Sequence, residues 1–559
     1  IMKDEEICMN FDAFKYEYPS RRSVAYGSKG MVCTSQHLAA QAGLDMLKKG
    51  GNAIDAAVAT AICLTVVEPM SNSIGSDAFA LVWSGDKLHG LNGSGPAPML
   101  ADASDIKRQG FEVIPEYGMI PMTVPGAVAS WAALSDRFGR LPFEQLFEPA
   151  IGYAKDGFPV SPVTAYMWNE CYEQFKKEFR DNAENFCGES QTGCKLKGWA
   201  EEWFKVFAPL GRAPRAGEIW KSQKLADTLK KIAESHGRAF YSGELAEKIS
   251  NFCEEQGGYM RKEDLSAFAP EWVDPIKVNY KGYDVWEIPP NGQGIVALMA
   301  LNILNKMDFK SRDCADTYHK QIEAMKLAFA DGKRYVADPR YMKVSVEQLL
   351  SEEYAAKRRA LIGEKALTPY PGKPDKGGTV YLCTADDEGN MVSFIQSCYW
   401  SFGSGVVIPD TGICMQNRGA NFSLDETMEN CIGPGKKSYH TIIPSFLSKD
   451  GKAVGPFGVM GAFMQPQGHL QVVMNTVDFH LNPQEALDAP RWQWVGDKEI
   501  WVERGFPYAA TEELIRKGHD VKVAPTFLDF GRGQIIWRTE DGTLAGGTEP
   551  RGDGCVAAW

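Results

Sequence analysis

Gly377-Gly378-Thr379-Val380-Tyr381-Leu382 stands about two-thirds of the way along the chain. Two glycines close one segment, and a threonine opens a short alternating run carried by Val380 and Leu382. The turn Asp386-Asp387-Glu388-Gly389-Asn390 follows, and Met391, Val392 and Phe394 continue beyond it. This pattern predicts two adjacent strands joined by a tight connection. A threonine in this place is a candidate nucleophile. If the bond between Gly378 and Thr379 is cut, Thr379 gains a free α-amine, the nearest base for its own hydroxyl. Taken alone, the triplet reads better as a strand that follows a glycine turn; the surrounding sequence reverses that preference.

Outward from this stretch, Thr34-Ser35 precedes an amphipathic helical segment from Gln36 to Lys49, with Ser35 the expected N-cap and Gly50-Gly51 the stop. Asn52 is placed to cap a second helix running to about Val67. That helix is apolar nearly all round and therefore expected to be buried on most faces. Ala78 to Trp83 and Leu88 to Leu91 flank Ser84-Gly85-Asp86 as a hairpin. From about Pro125 to Ala360 the pattern is largely helical, including 126–138, 223–234, 243–256 and 295–306, with a strand-like interruption at 277–286. After Thr379 strands and turns alternate, and a helix is expected at about 467–479. Gly292-Gln293-Gly294-Ile295-Val296-Ala297 matches a dinucleotide-binding pattern, but Pro289-Pro290 interrupts the approach, and Asp313 and Asp316 open a helix instead of ending a second strand. Arg551-Gly552-Asp553 reads as a chance tripeptide.

The chain of 559 residues has ample material for a large core, and no low-complexity linker divides it. Its 44% hydrophobic and 24% charged content is that of an ordinary globular protein. A net charge of −12 argues against broad nucleic-acid or anionic-membrane binding, both of which need clustered positive charge. The acidic start, Ile1 to Ile7, has no apolar stretch behind it, and no uncharged run reaches the roughly 18 residues of a spanning helix. A cytoplasmic protein is therefore expected. The 13 cysteines form no Cys-x-x-Cys; the closest pair, Cys187 and Cys194, lacks a zinc-like histidine spacing, and the eight histidines show no His-Glu-x-x-His. Reduced, buried cysteines and no metal or cofactor are expected.

The chain resembles the γ-glutamyltransferase family of N-terminal-nucleophile hydrolases. The likeness is carried by Ala39-Ala40-Gln41-Ala42-Gly43-Leu44, by 49–58, by Val67-Glu68-Pro69 and Val124-Pro125-Gly126, by Phe402-Gly403-Ser404-Gly405-Val406-Val407, by Gln471-Val472-Val473-Met474-Asn475, and by Asn482-Pro483-Gln484-Glu485-Ala486 and Ala489-Pro490-Arg491. Leu91-Asn92-Gly93-Ser94-Gly95, Gln416-Asn417-Arg418-Gly419 and 439–444 are more similar to the acylase-like and oxamate-amidohydrolase-like branch than to glutathione-degrading enzymes. The resemblance implies an α/β fold, the four-layer αββα sandwich. It also implies self-cleavage into 1–378 and 379–559, a large helix-rich fragment and a small one led by Thr379, which stay associated as one composite body. A small-molecule amide substrate follows; a homo-oligomer remains open.

The resemblance also assigns roles. Gly461 and Ala462 match the glycine pair whose backbone N–H groups stabilise the oxyanion; alanine keeps the donor unless φ must be positive. Ser397 stands where a threonine hydroxyl bonds the nucleophile, and Tyr399 where an asparagine orients the α-amine. The glutamyl-binding set has changed. Ser94 stands at the arginine that grips the α-carboxylate, Asn421 at the aspartate that grips the ammonium, and His440 and Thr441 at a serine pair. Losing both ends of a zwitterion clamp, each worth about 1.5–3 kcal/mol, weakens γ-glutamyl recognition by orders of magnitude. Arg418 replaces a glutamate or glutamine. With His440 it is expected to bind one carboxylate on an acyl group without an α-amine, of oxamate or glutaryl type; the alternative is that Arg418 pairs with Asp425. Only 17 residues separate Phe422 from His440, which suggests an open site without a lid, and hydrolysis in preference to transfer. Two further readings stand beside this one: a γ-glutamyltransferase with rearranged glutamyl contacts, and an unprocessed, non-catalytic binding protein on the same fold.

Overall fold

The computed structural model describes residues 22–181, 197–369 and 378–559. Gly377, the Cys187–Cys194 pair and the acidic start lie outside these residues.

Two seven-stranded antiparallel sheets lie face to face. The first has the order Ala25–Gly27, Leu544–Thr548, Arg532–Arg538, Lys452–Met460, Ser445–Lys449, Tyr283–Glu287, Ile276–Tyr280. The second runs Cys555–Ala558, Gly30–Thr34, Gly378–Asp386, Met391–Tyr399, Asp77–Ser84, Lys87–Gly93, Glu271–Val273. Both sheets therefore mix strands from before and after residue 378. The hairpin Gly378–Asp386/Met391–Tyr399 occupies the centre of the second, between Gly30–Thr34 and Asp77–Ser84.

Strand alternation sorts the side chains into layers. Tyr381, Cys383 and Ala385 point between the sheets, where they meet Phe79, Ile395, Phe446, Met460 and Ile536. Val380 and Leu382 point the other way, into a core built with the helix Ala53–Val67. The outer face of the first sheet is covered by Gly294–Leu304, Ala315–Tyr335 and Met464–Val477. The order is helix, sheet, sheet, helix. Gly458 brings the sheets together: a Cβ there would lie 2.5 Å from the Tyr381 ring.

The helix Ala53–Val67 is buried at every residue and capped as its sequence suggests. Asn52 accepts from the Ile54 and Asp55 amides, and Asp55 accepts in turn from the Asn52 amide. Its close neighbour, His37–Lys48, needs Gly43 at the crossing, where a Cβ would sit 2.2 Å from the Thr60 hydroxyl. Ser35 does not cap that helix. Gln36 does, through Oε1, while Ser35 donates to Glu68 Oε2 at 2.5 Å. The interruption expected at 277–286 is two strands, paired around Lys281-Gly282, both with positive φ, as a two-residue hairpin turn requires. The dinucleotide-like glycines serve packing: Gly294 lies against Glu287, where a Cβ would be 2.7 Å away. Arg551-Gly552-Asp553 is internal wiring. Arg551 pairs with Glu503 and Glu549, and Asp553 accepts the Val163 and Thr164 amides at the start of Pro162–Lys176. Among the described residues no helix is long and apolar enough to cross a membrane.

Candidate active site

Thr379 is the second residue of its strand, on the face turned to the other sheet. The ladder slips here. Gly378 pairs with Tyr399 and Val380 with Gln396, so Ser397 and Cys398 together oppose Thr379. Such a bulge re-aims side chains at a strand end. Thr379 Oγ1 donates to Ser397 Oγ at 3.1 Å, and Ser397 Oγ accepts the Tyr399 amide at 2.8 Å. Parity puts Gln396 and Cys398 on the opposite face, where Gln396 accepts from Trp131 Nε1 and Cys398 contacts Ser73 and Ser76.

Tyr399 takes φ +78°, a conformation rare for a bulky side chain and typical of sites under functional constraint. Its hydroxyl donates to Asn421 Oδ1 at 2.6 Å, and the Arg418 guanidinium lies 4.5 Å from its ring centroid. Arg418 is fully buried and donates through Nη1 to Thr441 Oγ1 at 2.6 Å. Its Nε and Nη2 have no hydrogen-bond partner among the described residues, and neither has Asn421 Nδ2. Burial pulls the Arg418 pKa down to about 10, which leaves it a cation at neutral pH. Asp425 is exposed and bonded to Thr427, so the alternative pairing with Arg418 is not made.

The glycine-pair position is a strand-to-helix turn. Lys452–Met460 ends, Gly461 and Ala462 take φ +137° and +47°, and the helix Met464–Val477 begins. Ala462 therefore sits in the left-handed region, at a cost of about 1–2 kcal/mol for a residue with a Cβ. Gln293 ties this turn to Thr441 by donating from Nε2 to both Ala462 O (2.8 Å) and Thr441 O (2.6 Å).

Thr379, Ser397, Tyr399, Arg418, Asn421 and Thr441 thus form one run of contacts. Ser94 and His440 lie behind it. Ser94 donates to Asn92 Oδ1 at 2.6 Å, within a group that includes Asn291. His440 does not present its ring to an acyl carboxylate beside Arg418. Its Nε2 faces Asp77 Oδ2 at 2.9 Å and its Nδ1 accepts the Ile442 amide at 3.4 Å. That pattern places the imidazole proton on Nε2. Burial and the neighbouring Arg418 hold the His440 pKa well below the ordinary histidine range, so the ring is neutral. The open site expected from the short 423–439 segment is not what the uncleaved chain presents. The segment folds on itself through a Ser423–Cys431 bridge, and Thr379 is 1% exposed.

Sequence reasoning passed over Asp77, Gln416 and Gln293. The available signal for Asp77 was a lone carboxylate at the mouth of the apolar strand 78–83. A cleft of about 1150 Å³ opens beyond Asn92 and Asn291, lined by Met99, Phe268, Val344 and Lys437 and not by Thr379. Among the described residues, one cluster could hold a cation: His319, Glu323 and His519 offer ligand atoms within 4.8 Å of one another. The ammonium of Lys326 already stands there, 2.8 Å from Glu323 Oε1.

The family model described as Gamma-glutamyltranspeptidase matches residues 39–559. The chain is 36% identical to a glutathione hydrolase-like YwrD proenzyme of Bacillus subtilis, over 95% of this chain and 98% of that protein. It is 34% identical to an oxamate amidohydrolase proenzyme of Klebsiella pneumoniae, again over 95% and 98%. Among solved structures, a cephalosporin acylase from Bacillus halodurans superposes with a TM-score of 0.93 at 59% identity, covering 99% of each chain.

Proposed function

Since the chain belongs to the gamma-glutamyltranspeptidase family, a family of hydrolase and acylase proenzymes, we propose that it is a self-processing N-terminal-threonine amidohydrolase acting on amides of small carboxylated acyl groups. In maturation Thr379 Oγ1 attacks the Gly378 carbonyl, the C–N bond breaks, and an ester links the two segments. Water then hydrolyses the ester and leaves Thr379 with a free α-amine. Fragments 1–378 and 379–559 stay together because strands of both build each sheet. In turnover the α-amine takes the hydroxyl proton, Oγ1 attacks the substrate amide, and the amine leaves with that proton. The amides at 461 and 462 face the oxyanion, and water releases the acyl group.

The observation that carries the acyl preference is Arg418: a fully buried guanidinium, beside the ring of a residue paired with Gly378, with two unpartnered nitrogens. A carboxylate binds such a fork bidentately. The neutral Asn421 offers no anion to an α-ammonium, which disfavours γ-glutamyl groups. One relative is an oxamate amidohydrolase, and oxamate is itself the amide of a carboxylated acyl group, which supports the same class. The test is a panel of anilides on processed protein. Glutaryl or oxalyl anilide should be cleaved far better than γ-glutamyl or butyryl anilide, and the small fragment should begin Thr-Val-Tyr-Leu. Equal rates on all four would reject the acyl assignment, and an active, uncleaved chain would reject the mechanism.

A further inference from the structure

This inference rests on the reading of Arg418 as the receptor for the acyl carboxylate. A buried arginine normally has a carboxylate capping its fork. Here the carboxylate whose field acts on Arg418 is Asp77, fully buried, and among the described residues it makes no hydrogen bond to the guanidinium. Its oxygens are engaged by other donors from separate segments. Gly95 N (3.1 Å) and Gln416 Nε2 (2.8 Å) reach Oδ1, and His440 Nε2 (2.9 Å) reaches Oδ2. The carboxylate is held in place but off the fork.

We propose that Asp77 is the specificity-setting counter-ion of this site, held off Arg418 by Gly95, Gln416 and His440 so that it balances the guanidinium in the empty pocket and leaves the fork to the acyl carboxylate of the substrate. His440 is then a positioning residue for Asp77. Arriving substrate places a second anion beside one cation, and the site relieves this by taking a proton onto Asp77.

Burial lifts the Asp77 pKa to about 7, against the opposing pull of Arg418 and the hydrogen bonds. The other groups facing it do not titrate nearby. His440 is neutral, the Cys398 thiol is pushed up by burial, and so is the Tyr241 phenol. Lys437 also acts on His440, in the same direction as Arg418. The sign follows. Above pH 7 the ionised Asp77 competes with the substrate anion; below it the competition ends. Binding of an acyl anion is therefore strongest at low pH and weakens as pH rises through 7.

The experiment measures KM between pH 6 and 8.5 on processed protein, with glutaryl anilide and with butyryl anilide. Wild type should show a KM for the glutaryl compound that is flat below pH 7 and climbs by up to about tenfold per unit above it. The butyryl KM should not follow this curve. Asp77→Asn should flatten the glutaryl profile and lower its KM at pH 8 about tenfold. His440→Ala, which releases Asp77 to cap Arg418, should raise the glutaryl KM more than tenfold at pH 8. A flat glutaryl profile in wild type overturns the proposal whether or not the variants fold, as does an unchanged profile in Asp77→Asn. If Arg418→Ala leaves the glutaryl preference intact, the reading beneath it fails instead.

Discussion

The hydroxyl of Thr379 donates to that of Ser397 at 3.1 Å across a bulge in the central hairpin, and Ser397 accepts the Tyr399 amide with its other lone pair. The contact orients Oγ1 and ties the start of one strand to the end of its partner. Ser397→Ala should remove about 1 kcal/mol of this orientation, or roughly fivefold in kcat, with KM little changed. Ser397→Thr should retain activity, since the stiffer χ1 favours a single hydroxyl direction. Thr379→Ala should abolish both fragment formation and turnover. Gel mobility and steady-state kinetics read all three.

Arg418 gives the next prediction. It donates to Thr441, lies over the face of Tyr399 and feels the field of Asp77. Arg418→Ala should cost carboxylated acyl amides about 1.5–3 kcal/mol, some 10- to 150-fold in kcat/KM, and neutral acyl amides much less. Arg418→Lys should recover only part, because a point charge cannot form the planar fork. Equal losses on acidic and neutral substrates would place Arg418 outside the acyl pocket.

Ala462 tests the turn proposed to carry the oxyanion donors. At φ +47° alanine is strained by about 1 kcal/mol, while glycine would add unfolded-chain entropy of about 0.4–1 kcal/mol. Ala462→Gly should therefore leave the denaturant midpoint unchanged or slightly raised and keep kcat. Ala462→Val should lose more than 1 kcal/mol and reduce kcat, since a β-branched residue resists this conformation.

Much of the scaffold was legible because it follows local rules. Asn52 before an all-apolar run announced a capped, buried helix, and Ser84-Gly85-Asp86 announced a hairpin with positive φ at Gly85 and Asp86. The layer order was not legible from periodicity; it came through resemblance, and the side-chain parity of Tyr381 and Leu382 now accounts for it. Within the site, residue types were visible and partnerships were not. Arg418 and His440 both read as carboxylate receptors because each is cationic or can become so. Only the fold brings Asp77, 363 positions away, onto His440 and so decides which ring nitrogen carries the proton. Likewise Ser35 reads as a cap by type, but Glu68 claims its hydroxyl from across the helix pair.

The segment that precedes the proposed cleavage at Gly378 is itself anchored. Residues 363–367 are fastened by their backbone to a buried cluster. Gly363 O is bonded to His319 Nε2 at 2.8 Å, Leu367 N donates to Glu323 Oε2 at 2.9 Å, and Leu367 O accepts from Lys326 Nζ at 3.1 Å. Lys326 and Glu323 are fully buried and lie 2.8 Å apart. Lys326→Met strands the Glu323 carboxylate and should cost about 3–5 kcal/mol, read as a fall in the denaturant midpoint. Replacing both, Lys326→Met with Glu323→Leu, removes the stranded charge and should recover part of that loss, because an apolar pair of similar volume needs no counter-ion. The single variant removes one anchor of Leu367 and the double variant both, so limited proteolysis should cut near 363–369 faster in the first and faster still in the second, even where the double variant regains stability. Recovered stability with unchanged proteolysis would mean that the segment is held by its other contacts, among them Ala366 N to Lys517 O at 2.8 Å, and not by the buried pair.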